Sequence, residues 1–216
     1  MEVTKRVLLT ALASAALATG ALGAPAAPVL GNGQPQGAPA PEQRVVANAG
    51  CCASSAFAVS FVEQGDKVRV RIRDTAEGWT WESPAIDGHV VPHLHGETPC
   101  RATVQDMDAD QQPEVIVTIS DGEPGGSVWI WKKDAQAHAF RPIPVEVGPN
   151  VGTRDFLVWD LESSGPNAPV KITPYGHVEI QGHLFALLGQ TSGVGLFRWR
   201  VSRGMVRHLE TIASKP

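Results

Sequence analysis

Residues 113–145 read PEVIVTISDGEPGGSVWIWKKDAQAHAFRPIPV. Within them EVIVTIS (114–120) and SVWIWKK (127–133) are rich in Val, Ile and Trp, side chains that suit a pleated surface. Asp121-Gly122 stands between the two runs, and turn residues flanked by apolar alternation signal a hairpin. The second run ends in Lys132-Lys133, a second turn follows, and a short closing strand ends at Val145. The stretch therefore predicts an antiparallel meander.

The same plan recurs on either side, in SAFAVSFVEQGDKVRVRIRDTAEGWTWESPAI (55–86) and HLFALLGQTSGVGLFRWRVSRGMVRHLETI (183–212). FAVSFVEQ (57–64), KVRVRIRD (67–74), LFALLGQ (184–190) and GLFRWRVS (195–202) are the strand-like runs in those copies. No stretch of ten or more residues keeps apolar side chains at helical spacing, so the predicted class is all-β and antiparallel. The second and third copies are each preceded by a strand ending in an acidic residue, RATVQDMDAD (101–110) and RDFLVWDLESS (154–164). Four strands in a repeat of this length match a propeller blade, and the expected architecture is about three propeller-like four-stranded units, with a compact β-sandwich or barrel as the alternative. PVKITPYGHVEIQG (169–182) reads as a hairpin inserted into the third unit around Tyr175-Gly176. Three units leave two terminal faces uncovered. Either two chains close a six-unit ring as a homodimer, or the hairpin at 169–180 and the 45–54 segment fold over those faces in a monomer.

The chain has 216 residues, with 18 Lys+Arg against 22 Asp+Glu and a net charge of −4, which leaves no source for phosphate neutralisation and argues against a nucleic-acid partner. Lys5-Arg6, the Ala/Leu-rich run from Val7 to Leu22 and small residues up to Gly23 predict a signal peptide over 1–23 and a secreted product. The run is too short and too diluted for a membrane span. Residues 24–44 are Pro, Ala, Gly and Gln, a linker composition, and 45–216 is left as one all-β repeat domain. Three cysteines, Cys51, Cys52 and Cys100, allow one bridge and one further thiol in an oxidising compartment.

The sharpest chemical signal is Asp106-Met107-Asp108-Ala109-Asp110-Gln111-Gln112-Pro113-Glu114. Alternate carboxylates on a tight turn converge, a backbone carbonyl near Gln112 adds an oxygen, and Glu114 closes the set, which is hard-oxygen chemistry suited to Ca²⁺. Gly at the sixth position and flanking helices, which an EF-hand needs, are both missing. The stretch ATVQDMDADQQPEVIVT resembles the FG-GAP or VCBS-type repeat of integrin alpha propellers and many secreted bacterial proteins. That resemblance, specific over about 100–145, implies Ca²⁺ at Asp106, Asp108, Asp110 and Glu114, with Gln111 where the family has glycine and Glu114 where it has Asp. In the third unit the matching positions read Asp160, Glu162 and Ser164, a degenerate site.

These readings favour a secreted, calcium-stapled binding or adhesion module without catalysis, its partner a protein or a carbohydrate. The competing reading is a metal-dependent enzyme using His89, His93 and His95 in DGHVVPHLHGETPC, although Pro92 and the position between units make that segment an expected surface loop. The pairs Trp79/Trp81 and Trp129/Trp131 each share a strand face and serve either as packing between sheets or as a stacking platform.

Overall fold

The computed structural model describes residues 44–46, 50–52, 55–122, 125–148, 152–160, 168–183 and 194–213. Among these there is no helix, and hence none long and apolar enough to cross a membrane. The strands run β1 (Arg44–Val46), β2 (Gly50–Cys52), β3 (Phe57–Gln64), β4 (Lys67–Asp74), β5 (Thr80–Glu82), β6 (Ile86–Asp87), β7 (His89–Val91), β8 (His93–His95), β9 (Thr98–Cys100) and β10 (Ala102–Gln105). They continue as β11 (Glu114–Ser120), β12 (Gly126–Asp134), β13 (Ala139–Pro142), β14 (Val145–Gly148), β15 (Gly152–Arg154), β16 (Phe156–Trp159), β17 (Val170–Ile172), β18 (His177–His183), β19 (Val194–Ser202) and β20 (Met205–Ala213).

Three open sheets hold these strands. The first is β1-β3-β4-β5 with β6 also on β4, the middle one is β13-β12-β11-β10-β2 with β16 on β12 and β7 on β11, and the third is β15-β14-β20-β19-β18-β17-β8-β9. Each contains a run of four antiparallel neighbours, β1-β3-β4-β5, β10-β11-β12-β13 and β17-β18-β19-β20. The all-β, antiparallel-rich class follows from the alternation. In β4, Val68, Val70 and Ile72 are buried while Lys67, Arg69 and Arg73 point to water.

The middle sheet is covered on both faces. All seven residues of β11 are buried, which is why its sequence is a nearly unbroken apolar run rather than an alternation. Val115, Val117 and Ile119 pack with Phe61, Val70 and Ile72 of the first sheet. Ile116, with Val128 and Ile130 of β12, packs with Ile172, Val178 and Phe197 of the third.

The third unit differs from its expected make-up. β16 joins the middle sheet against β12, and the supposed inserted hairpin supplies β17 and β18, the first two strands of the third antiparallel run. The hairpin carries its own buried stripe, Val170, Ile172, Val178 and Ile180, so it is sheet and not a cover for an open face. The 44–52 region likewise adds edge strands, β1 on β3 and β2 parallel to β10. LFALLGQ lies outside the described residues. The histidine segment, expected as a loop, forms β7, β8 and β9, with Pro92 falling between the first two where no ladder hydrogen bond is required of it.

Candidate functional site

β10 ends at Gln105 and the chain returns into β11 through 106–113. Asp106 shapes this turn, its carboxylate accepting the backbone N–H of Asp110 at 3.2 Å and of Gln111 at 2.8 Å. Asp110 in turn accepts the N–H of Gln112 at 2.9 Å. Ala109 and Gln111 adopt left-handed φ of 62° and 69°. Gln111 therefore holds a conformation that favours glycine, at a cost of about 1–2 kcal/mol. Gln111→Val, β-branched, is expected to cost a further ~1 kcal/mol in denaturant unfolding, whereas Gln111→Gly leaves stability equal or higher.

Carboxylate oxygens of Asp106, Asp108 and Glu114 lie within 4.8 Å of one another. Glu114 is fully buried and its Oε2 accepts the Met107 N–H at 2.7 Å. The other groups around it belong to Lys132. Its Nζ lies 2.9 Å from Glu114 Oε1, 3.1 Å from Asp108 Oδ2 and 2.6 Å from Asp110 Oδ2. Strand register puts it there. β11 and β12 pair with Val115 opposite Trp131, so the next step of the ladder brings Lys132 beside Glu114 on the same face.

Burial alone would lower the Lys132 pKa, but hydrogen bonds from its ammonium to Asp110, Glu114 and Asp108 outweigh that and raise it above the ordinary lysine value. Desolvation dominates at Glu114 and raises its pKa, in spite of the Met107 amide and Lys132. At Asp110 desolvation is outweighed by Lys132 and the Gln112 amide, and the carboxyl stays below its usual range.

The structure thus brings together Asp106, Asp108, Asp110 and Glu114, while Gln112 is seen donating its amide to Asp110. The donor set has the chemistry calcium prefers. Three of its members already face a cation that is part of the chain, and a metal on those oxygens has to displace it. Sequence reading missed Lys132. The available signal was the basic end of SVWIWKK, aligned by a six-residue connection with the acidic start of EVIVTIS. Lys133, on the opposite face of β12, reaches the first sheet through Asp74 at 2.9 Å and Glu77 at 2.7 Å.

The three histidines do not converge. His89 is exposed on β7, His95 Nε2 lies 3.0 Å from Gln105 Oε1, and His93 is fully buried with Thr103 Oγ1 at 2.9 Å from Nε2 and Thr118 Oγ1 at 3.2 Å from Nδ1. Both His93 nitrogens are occupied within the core. Among the described residues, the acidic loop is the single cluster of three or more potential metal ligands.

A second feature opens between β5–β6 of the first sheet and β12, β13 and β16 of the middle one, a groove of about 950 Å³. Its floor is aromatic because Trp129 and Trp131 share a face of β12, stacked at 5.6 Å and 12°. Trp131 is wedged against Trp81 at 6.2 Å, and Trp129 meets its cross-strand neighbour Phe156 at 4.9 Å. Trp129 remains part-exposed, its indole N–H donating to Ser127 Oγ at 2.9 Å. Gly126 permits the approach of β12 to β11 at the groove's end, since a Cβ there would stand 2.1 Å from the Ile119 carbonyl oxygen. The polar lining is acidic, with Asp87, Asp121, Asp155 and Asp160, and includes no Lys, Arg or His among the described residues.

No family model, curated protein or solved structure matches the chain.

Proposed function

We propose that this chain is a secreted β-repeat binding module without catalytic activity of its own, its three antiparallel runs arranged as propeller-like units. The observation that carries the reading is the aromatic groove of about 950 Å³, large enough for a drug-sized or short oligomeric ligand and supplied with few polar groups. Of the three histidines of the competing metal-dependent enzyme, His93 and His95 are hydrogen-bonded to Thr103, Thr118 and Gln105, and exposed His89 does not converge with them. In this reading the acidic loop is a cation-held staple at the β10–β11 turn. Its resident cation is the Lys132 ammonium, and Ca²⁺ binds there in competition with it. Arrays of glycans and of peptides probed with the purified chain test the proposal. Wild type is retained on one class with the ligand chemically unchanged, and Trp129→Ala loses that retention; a wild-type chain retained on neither array contradicts a binding function.

Export also bears on the cysteines. β2 pairs with β10 so that Cys51 faces Thr103, and buried Cys100 ends β9 just before β10. A bridge from Cys100 to Cys51 or Cys52 is proposed, closing a loop of about 50 residues and contributing ~4 kcal/mol on the chain-entropy account. Peptide mapping of the exported protein without reductant is expected to recover Cys100 joined to one of the two. Recovery of all three as alkylated thiols speaks against the bridge and against export.

A further inference from the structure

We infer that the outer face of the first sheet binds a linear anionic polysaccharide, one carrying sulfate or carboxylate groups, at a surface independent of the groove. The β4 sequence KVRVRIRD alternates cations with buried aliphatic residues, so Lys67, Arg69, Arg71 and Arg73 stand in one row on the face turned away from the core. Neighbours in that row are about 6.8 Å apart along the strand, and the whole row is about 20 Å long. On β3 the positions opposite them are Gln64, Val62, Ser60 and Ala58, all uncharged. β5 and β6 bring two carboxylates to the same face, Glu82 opposite Arg71 and Asp87 opposite Lys67.

Four cations therefore share two carboxylates. Asp87 holds Lys67 at 2.5 Å, while Glu82 lies 2.8 Å from Arg71 and 3.6 Å from Arg69. Arg73 is exposed and makes no ion pair among the described residues. The paired side chains are still open to a ligand, those of Lys67, Arg69 and Arg71 being 52%, 49% and 43% exposed. The chain as a whole carries −4, but charges more than about 8–10 Å away are largely screened at physiological salt, so the row acts through its own local excess. A depression of about 240 Å³ lined by Gln64, Lys67, Arg69, Arg71 and Glu82 gives one anionic group a seat among three cations.

The face also selects the class of polyanion. An acidic peptide laid across it finds no free ladder, because β4 is hydrogen-bonded to β3 on one side and to β5 and β6 on the other. Single-stranded nucleic acid is held by aromatic side chains on which its bases stack, and none of the positions of β3, β4, β5 and β6 on this face is aromatic. A sugar chain needs neither device. Its sulfates or carboxylates match the N–H forks of Arg69, Arg71 and Arg73, and its hydroxyls find hydrogen-bonding partners in Ser60, Gln64 and Thr80, all at least part-exposed.

The test is a calorimetric titration of the full chain with a heparin dodecasaccharide, with neutral dextran, with dodecaglutamate and with a twelve-nucleotide oligothymidylate. Heparin is expected to bind with Kd of tens of micromolar at about 50 mM salt and at least tenfold more weakly at about 500 mM. Arg69→Gln/Arg73→Gln weakens it about tenfold, while Arg101→Gln/Arg200→Gln, exposed positions outside the first sheet and an equal change in net charge, leaves Kd within about twofold. Glu82→Gln removes the carboxylate shared by Arg69 and Arg71 and tightens binding about threefold, a gain that misfolding cannot imitate. Equal weakening by the two arginine pairs, or no gain in Glu82→Gln, overturns the inference as mere net-charge attraction. Dodecaglutamate or oligothymidylate bound as tightly as heparin overturns the ligand class, and dextran bound as tightly, or heparin not bound at all, overturns the surface. Trp129→Ala, which loses the ligand of the groove, keeps its heparin Kd within about twofold, so the two sites stand or fall separately.

Discussion

Lys132→Met is expected to lower stability by about 3–5 kcal/mol in the presence of a chelator, because it removes the cation from the fully buried Glu114 and leaves Asp108 and Asp110 facing each other. Ca²⁺ added to this variant should restore most of the loss. A divalent ion that binds the folded state contributes RT ln(1 + [L]/Kd), about 2.7 kcal/mol at a hundredfold excess over Kd. The wild type, with Lys132 holding the same oxygens, should show a Ca²⁺ affinity at least tenfold weaker than the variant and a melting temperature that chelation hardly moves. Lys132→Met/Glu114→Gln separates charge from packing, since removing both partners should recover about half of the stability without calcium. A wild type that melts many degrees lower in chelator would show that the metal and not the lysine holds the turn. A variant insensitive to Ca²⁺ would show that the carboxylates do not form a cation site at all.

Acid is expected to unfold the protein through His93. Burial, with a smaller contribution from the neighbouring His95, depresses its pKa from the ordinary 6.5 to about 3. The neutral ring is the form that the Thr103 and Thr118 hydroxyls accommodate. Below pH 6.5 the unfolded chain takes up a proton that the folded one refuses, so the contribution is complete above the unfolded pKa and is lost as pH falls toward the folded value, about 4–5 kcal/mol over the whole interval. Other groups share the acid range. Asp74, Glu77 and Asp110, with depressed values, lose stability at lower pH, whereas Glu114, with a raised value, regains some. His93→Gln keeps a donor and an acceptor for the two threonines and cannot titrate, so comparison with wild type isolates the histidine. Between neutral pH and about pH 4.5 the wild type should lose ~2–3 kcal/mol more than the variant in denaturant melts. Parallel losses in the two proteins would place the acid sensitivity in the carboxylates.

How much of this was legible in the sequence depended on the range of the interaction. β3, β4 and β11 have the same bounds in sequence and structure, because each hairpin strand alternates or is largely apolar and is bounded by local turn residues. The third unit was misassembled for a long-range reason. Nothing in FLVW itself says that it will pair with β12 rather than with the strands that follow it, and the hairpin at 170–183 has no local mark that makes it the opening of a sheet run. β8 illustrates the limit, as three residues whose parallel partner, β17, lies some seventy-five residues away. The acidic loop was legible as a cluster because its carboxylates are neighbours in sequence, but the cation opposite it was not, since Lys132 arrives through strand register. The groove was half legible. The Trp129/Trp131 face was visible in the i, i+2 spacing, whereas the acidic rim is gathered from β6 and three separate connections.

The indole N–H spectrum tests the central claim most directly, because the six tryptophans report separately on the groove and on the rest of the protein. With the glycan or peptide retained on the arrays titrated into the labelled chain, the signals of Trp81 and Trp129, which line the groove, should shift in a saturable way while that of Trp199, packed between the middle and third sheets, stays in place. A titration in which neither groove indole moves, or in which Trp199 moves as far as they do, would contradict a binding module whose site is the groove.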